Sequence, residues 1–312
     1  MKILVFIEAK ENSPVSGSLE LLTAAAQLGE TTAVVVGDAA AAQAAAGFGT
    51  PVTLLKTDEV CPDTQAAALE SYIRQTAPQL VLFSGTQLGK DLAPRLAQRF
   101  EAGCVTDATA IENGETGLIF TRPAFGGAIL ETVQLAQDKI QFATVRSGCY
   151  RKPAPADAAL TDLPAEIPGN AVKAKVIEAA KEIAEAIDLE GADVIVAGGR
   201  GMGDAEGFHM VEELAALLGG VVGASRPAIE EGWTTRAHQI GQSGKIVAPK
   251  LYIACGISGA MQHVSGIMGS KYIVAINKDE SASIFDIADL GIVGDAKAIL
   301  PLLTDAIRQH RS

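Results

Sequence analysis

Aromatic side chains are scarce. They make up 4% of the chain, with one tryptophan in 312 residues, although 48% of it is apolar. A core with few rings has to be closed by aliphatic side chains and alanine, which suits helices lying close on sheets. Long apolar runs are missing too, and none approaches the roughly 20 residues that a membrane-spanning helix needs. The opening apolar stretch runs only to Ile7 and is followed by Glu8, Lys10 and Glu11. That is a first strand rather than a secretory leader, so a cytoplasmic location is expected. Cysteine is limited to Cys61, Cys104, Cys149 and Cys255, with no C-x-x-C pair and no histidine at ligand spacing. Reduced, mostly buried thiols are expected there, not a zinc or iron–sulfur site. Positive charge is in deficit: 25 basic against 37 acidic side chains leave a net charge of −12. Such a charge disfavours nucleic acid and anionic membrane surfaces. It still permits an anionic cofactor held by a few local arginines and backbone amides. No Ser-His-Asp order and no paired carboxylates stand out, so no catalytic residue is expected.

What is present is alternation. Short β-rich apolar runs at 2–7, 32–36, 52–55 and 80–83 are separated by helix-length stretches at 18–28, 39–47 and 64–76, and another follows at 89–100. That order predicts a parallel sheet covered by helices on both faces. The pattern then changes. Runs at 105–111, 118–122, 128–135 and 140–146 are separated by Asn113-Gly114, Gly126-Gly127 and Asp138-Lys139. They read as antiparallel strands joined by tight turns. Residues 150–170 carry Pro153, Pro155, Pro164 and Pro168 and read as a connector. An amphipathic helix is expected over 171–187, with Val172, Val176, Ala180, Ile183, Ala184 and Ile187 on one face. The expected fold class is α/β with two domains, 1–187 and 188–312. Each has a mostly parallel sheet flanked by helices, and the first has added antiparallel strands.

The second half restarts the alternation, with strands expected at 193–197, 221–223, 251–254 and 272–276 and helices at 204–218, 260–268 and 295–309. Residues 284–285 and 291–293 read as short extended pieces. Four polar or glycine-rich stretches stand out, three of them directly after strands, where ligands sit in parallel sheets. The first is Gly198-Gly199-Arg200-Gly201-Met202-Gly203. It does not fit G-x-G-x-x-G, because the sixth position is Asp204 or Glu206, which disfavours a nicotinamide-dependent dehydrogenase. An arginine among glycines presents its fork to an anion, so Arg200 is a phosphate candidate. The second is Ser225-Arg226-Pro227, opening an aperiodic stretch to Gly244 of a kind that is functional or mobile in a compact domain. The third, Gly241-Gln242-Ser243-Gly244-Lys245, fails the Walker A pattern at Gln239 and Ile246. It remains a loop that places one hydroxyl and one amide. The fourth is Gly256-Ile257-Ser258-Gly259, with Ser258 as expected N-cap and free amides behind it that suit a phosphate. Gln262 and His263 lie one turn further on and can reach the same ligand.

These stretches carry a resemblance. Residues 251–263, Gly266 and the run from Ile273 to Asp279 resemble the α subunit of electron transfer flavoprotein. Gly198 to Gly201, Val222 to Arg226 and Gln239 to Lys245 are similar to that family in the same order. The likeness covers 193–307, while the first half agrees in element order and in Thr121-Arg122-Pro123 with Gly126-Gly127. It implies a heterodimer with a β subunit, FAD in the second domain, and a first domain packed on the partner. Carried over residue by residue, the FAD site would comprise Arg200, Ser225, Arg226, Ile240, Gly241, Gln242, Ser243, Ser258, Gly259, Ala260, Met261, Gln262, His263, Asn277 and Asp295. Within it, Ser258 to Met261 would hold the pyrophosphate and Ser243 would offer its hydroxyl to flavin N5. His263 would lie near the pyrimidine edge, and Arg226 would put positive charge beside the ring. The implied function is electron transfer from a dehydrogenase, such as an acyl-CoA dehydrogenase, to a downstream acceptor. Whether electron pairs are also split between two acceptors stays open, because a second flavin would be held largely by the β subunit. The alternative is a non-redox subunit that binds an adenine nucleotide in the same crevice.

Overall fold

Short β-rich runs spaced by helices give each half of the chain its own parallel sheet. The computed structural model describes residues 1–127, 129–173 and 188–311. It divides into two units, Met1–Ala180 and Lys181–Ser312. The helix expected over 171–187 lies almost wholly outside the described residues, and the expected boundary at 187/188 adjoins them.

The first unit runs β1 (Lys2–Phe6), β2 (Ala9–Lys10), β3 (Ser13–Pro14), α1 (Ser16–Ala26), β4 (Glu30–Val36), α2 (Ala39–Ala46), β5 (Val52–Lys56), α3 (Pro62–Thr76), β6 (Leu80–Ser84) and α4 (Gln87–Arg99). It continues with β7 (Gly103–Ala108), β8 (Ala110–Gly114), β9 (Gly117–Ala124), β10 (Ile129–Val133), β11 (Gln141–Val145) and β12 (Leu160–Pro164). Seven strands form one parallel sheet in the order β12-β5-β4-β1-β6-β11-β7. Side chains alternate across it: Ile3 and Val5 join the core on one face, Leu4 and Phe6 the core on the other. The strands β10-β9-β8 form a separate antiparallel sheet, as the glycine turns predict.

Three expectations need correction here. Residues 140–146 do not extend the antiparallel set; β11 pairs in parallel with both β6 and β7. All five of its residues are buried, as fits a strand covered on both faces. The run 105–111 is two strands in two sheets, β7 and β8. The two part at Thr109, just after a register shift in β7 at Asp107, whose φ of +62° is held by two bonds from the Arg146 guanidinium (3.0 and 2.6 Å) and by its own amide donating to Thr144 Oγ1 (2.8 Å). The connector 150–170 contains β12, an edge strand parallel to β5, where Pro164 is tolerated because the outer edge has no strand partner among the described residues.

The second unit runs β13 (Val194–Gly198), α5 (Ala205–Leu218), β14 (Val221–Ala224), α6 (Arg226–Glu230), β15 (Leu251–Cys255), α7 (Met261–Val264), β16 (Ile273–Asn277), β17 (Leu290–Val293) and α8 (Ala296–Arg311). Its five strands are all parallel, in the order β14-β13-β15-β16-β17. Asp204 caps α5 by accepting from the Gly207 amide at 2.7 Å, and Gly219, at φ +66°, ends it. The helix expected over 260–268 is only the single turn α7, followed by non-helical turns. Residues 284–285 are not extended; they lie in a 3-10 turn, Ser283–Asp286.

Phe142 is fully buried between β6 and β7, whereas Leu302 on α8 is 71% exposed. Phe142→Ala is expected to cost about 3–5 kcal/mol and Leu302→Ala to stay within about 0.5 kcal/mol, as read by urea denaturation of each variant.

Candidate functional site

In the second unit the crossover from β13 runs to one side of it and the crossover from β14 returns to the other. A crevice must therefore open at the carboxyl ends of β13 and β15. Glycines make that junction possible. The Gly199 amide donates to the Cys255 carbonyl (2.8 Å) and the Gly201 amide to the Gly256 carbonyl (2.9 Å). A Cβ on Gly199 would lie 2.4 Å from the Gly256 oxygen, and Gly256 itself sits at φ +62°. Above the junction is a cavity of about 680 Å³, inside the roughly 300–1,000 Å³ range of cofactor and small-ligand sites.

Twelve of the fifteen expected residues line this cavity. Arg200 comes from the exit of β13, and Ser225 and Arg226 from the exit of β14. Ile240, Gly241, Gln242 and Ser243 come from the aperiodic stretch, which docks on the turn after β15: the Gln242 amide donates to the Gln262 carbonyl at 2.7 Å. Ser258, Ala260, Gln262 and His263 follow β15, and Asn277 ends β16. The three others lie elsewhere. Met261 is exposed at the start of α7, and Asp295 opens α8 by accepting from the Lys297 amide at 3.0 Å. Gly259 is buried at φ +84°, with the Ile284 backbone where a side chain would be.

Several roles also change. Ser258 is not an N-cap. Gly259 turns the chain first, so Ala260 is the cap of α7 and has no side-chain oxygen to offer. The amides of Ser258, Gly259 and Ala260 nonetheless make no hydrogen bond among the described residues. Any grip on an anion comes from this turn rather than from the dipole of a four-residue helix. Asn277 is occupied internally: Nδ2 donates to the Ile257 carbonyl (2.8 Å) and Oδ1 accepts from the Asp279 amide (3.0 Å). It braces the turn after β15 against β16. Ser243 accepts from Gln239 Nε2 at 2.9 Å, which leaves its own O–H to donate.

The charges are few. Arg200 is exposed and forms no ion pair among the described residues, as an anion-binding fork requires. Arg226 is paired: its Nε donates to Glu230 one helical turn on, at 2.7 Å, and Glu230 lines the same cavity. The positive charge expected from Arg226 is therefore partly offset. His263 is 7% exposed; its Nε2 lies 2.9 Å from the Tyr252 hydroxyl, and its Nδ1 is buried without a hydrogen-bond partner. Burial pushes the ring pKa down to about 4, partly opposed by the Ile240 backbone carbonyl beside the ring.

The family described as "Electron transfer flavoprotein domain" matches residues 3–168, and "Electron transfer flavoprotein FAD-binding domain" matches 188–268. The chain belongs to the electron transfer flavoprotein α-subunit family. It is 44% identical over 248 residues to the electron transfer flavoprotein subunit alpha of Thermoanaerobacterium thermosaccharolyticum, covering 78% of this chain and 75% of that one. The subunit alpha of Bacillus subtilis is 38% identical over 330 residues, covering 99% and 98% of the two chains. Protein FixB of Clostridium saccharobutylicum is 39% identical over 320 residues, covering 96% and 94%. Among the described residues, no helix is long and apolar enough to cross a membrane.

The cavity and its wall also include residues that were not expected from sequence. Glu230 was legible in principle, since it stands at i+4 from Arg226, where side chains on a helix meet. Tyr252 lies behind the cavity wall; its signal was a lone hydroxyl in an otherwise aliphatic buried strand. Gly256, Asp279 and Ala282 line the cavity through turns that only the assembled sheet brings together.

His263 provides a test. Its folded pKa lies below the ordinary 6.5, so its contribution to stability is complete above that value and is lost as pH falls toward about 4. Between about pH 7.5 and about pH 5 this amounts to about 2 kcal/mol. In His263→Gln that portion of the pH dependence should vanish, as read by urea unfolding of the second unit with its Trp233 fluorescence.

Proposed function

We propose that this chain holds FAD in the cavity of its second unit, pairs with an electron transfer flavoprotein β subunit, and carries electrons from a dehydrogenase to a downstream acceptor. The observation that carries this is one cavity of cofactor size, at the switch point of a parallel sheet, whose lining includes twelve of the expected residues from five separate stretches. The donor set fits a dinucleotide with an anionic middle and a polar ring. The unbonded amides of Ser258, Gly259 and Ala260, with the Arg200 fork, would hold the phosphates. The Ser243 hydroxyl and the Gln262 amide group would face the ring, and the buried His263 would stand against one edge.

FAD would supply the one- and two-electron chemistry. The residues of the chain would bind it, exclude water from one side and set its potential. A cation near the ring favours reduction, because added negative charge is stabilised; a hydrogen bond to a charged group contributes roughly 1.5–3 kcal/mol. Arg226 would provide that charge, moderated by Glu230. The first unit would face the β subunit, with the domain boundary near residues 187 and 188. An acyl-CoA dehydrogenase is one donor class that fits such a carrier. Splitting electron pairs between two acceptors would need a further flavin on the β subunit.

Co-expressed with its β subunit, the chain should give a yellow complex with one FAD in this cavity, bleaching on reduction. A well-folded complex that stays colourless after incubation with FAD would instead support a non-redox, adenine-nucleotide-binding subunit. Arg226→Ala should lower the first reduction potential by on the order of 100 mV in a redox titration. An unchanged titration removes that role from Arg226.

A further inference from the structure

The first unit has a cavity of its own, with which the second unit's site has nothing to do. It measures about 360 Å³ and lies at the exits of β1, β4 and β5. That is inside the roughly 300–1,000 Å³ range of small-ligand sites. Three segments wall it. The β2–β3 hairpin turns through Glu11 and Asn12, both at positive φ (51° and 64°), and brings Asn12 to the cavity. Gly37, at φ +78°, turns the chain after β4 and delivers Asp38, whose Oδ1 accepts from the Ala41 amide at 2.9 Å and so caps α2. The Asp38 carboxylate forms no other hydrogen bond or ion pair among the described residues, and the amides of Ala39 and Ala40 form none. The segment after β5 supplies an exposed Val60 and a buried Gln65. Gln65 is the decisive residue. It is only 6% exposed, its carboxamide makes no hydrogen bond among the described residues, and it lines this cavity. Buried polar side chains are almost always paired, so the cavity collects groups that the protein itself does not use.

Their chemistry narrows the ligand. No lysine, arginine or histidine lines the cavity, and the charge in its wall is the Asp38 carboxylate. Such a wall disfavours an anion and takes a neutral molecule. Asp38 stands two residues past the second strand of a β-α-β unit, β1-α1-β4. In dinucleotide-binding folds an acidic residue there accepts from the ribose hydroxyls. The phosphate half of that arrangement is missing, because no glycine lies between the end of β1 and the start of α1. A carboxamide sets a donor beside an acceptor, which matches the amino and ring-nitrogen edge of adenine. We propose that this cavity binds an adenine ribonucleoside without phosphate: Asp38 accepts from the ribose diol, Gln65 pairs with the edge of the base, and Val60 covers one of its faces. The site is independent of the FAD site proposed above, since all its residues belong to the first unit.

The test is titration calorimetry with adenosine on the full chain in complex with its β subunit, saturated with FAD so that the second unit's cavity is filled. Adenosine should bind. Asp38→Ser keeps a side-chain oxygen to cap α2 but removes the carboxylate, and it should weaken binding by about 10-fold or more. 2′,3′-Dideoxyadenosine lacks the diol. It should lose a similar factor on the unaltered complex and nothing further on Asp38→Ser. Gln65→Leu replaces the carboxamide with an apolar group of similar size and should cost roughly 5- to 10-fold. AMP should compete for this binding more weakly than adenosine. Should Gln65→Leu not fold, the comparison of adenosine with its dideoxy form needs no variant and decides the matter. No adenosine binding at about 10 mM overturns the proposal, as does binding that both variants leave unchanged, or binding lost in Asp38→Ser that prefers AMP. Should the complex take up no FAD, the same titration still reads the first unit, because loss in Asp38→Ser marks the binding that belongs there.

Discussion

The exits of β13 and β15 touch backbone to backbone. Gly199 and Gly201 lie against Gly256 so closely that a Cβ on either would fall within 2.4 to 2.7 Å of its atoms, and two amide–carbonyl bonds lock the contact. Everything that lines the cavity is positioned from that junction. Arg200 leaves one strand just above it, and Ser258 leaves the other. Because the next crossovers diverge, the space above the junction cannot be closed by a connecting helix, and a cavity persists there. A side chain at the junction would push the strand ends apart and separate the two groups of donors best suited to an anion.

The polar groups around the cavity fall into those spent on the protein and those left over. Asn277 is spent bracing two turns, and Gln239 is spent on Ser243. Left over among the described residues are the turn amides after β15, the Arg200 fork and the Ser225 hydroxyl. A chain with a net charge of −12 can still assemble a site for an anion because the donors are mostly backbone and local. Arg226 shows the same economy. It is tied to Glu230, so its field at the cavity is moderated by a carboxylate one turn away.

Much of the fold was legible in the chain. The alternation of β-rich runs and helices marks both parallel sheets, and the Gly turns mark the antiparallel trio. The misreadings share one cause: hydrophobic pattern and turn residues describe a segment, not its partner. The buried run at β11 looks the same whether it pairs in parallel with β6 or antiparallel with β10. Asp107 gives no hint that Arg146, far along the chain, will hold it in a left-handed conformation and shift the register of β7 just before its end. The strand β12 hides among prolines because an edge strand tolerates them.

The sequence by itself determined the two-sheet α/β class, the stretches that end up at strand exits, and most of the residues that line the cavity. It did so because strand-length apolar runs and glycine turns are local properties, read without knowing what they touch. Only the tertiary structure decided which donors remain free. Ser258 loses its capping role to a glycine turn, Asp295 is drawn away to start α8, and Tyr252 comes to hold one nitrogen of His263. Hydrogen bonds between distant segments are settled by strand order and close packing, and those depend on the whole chain at once.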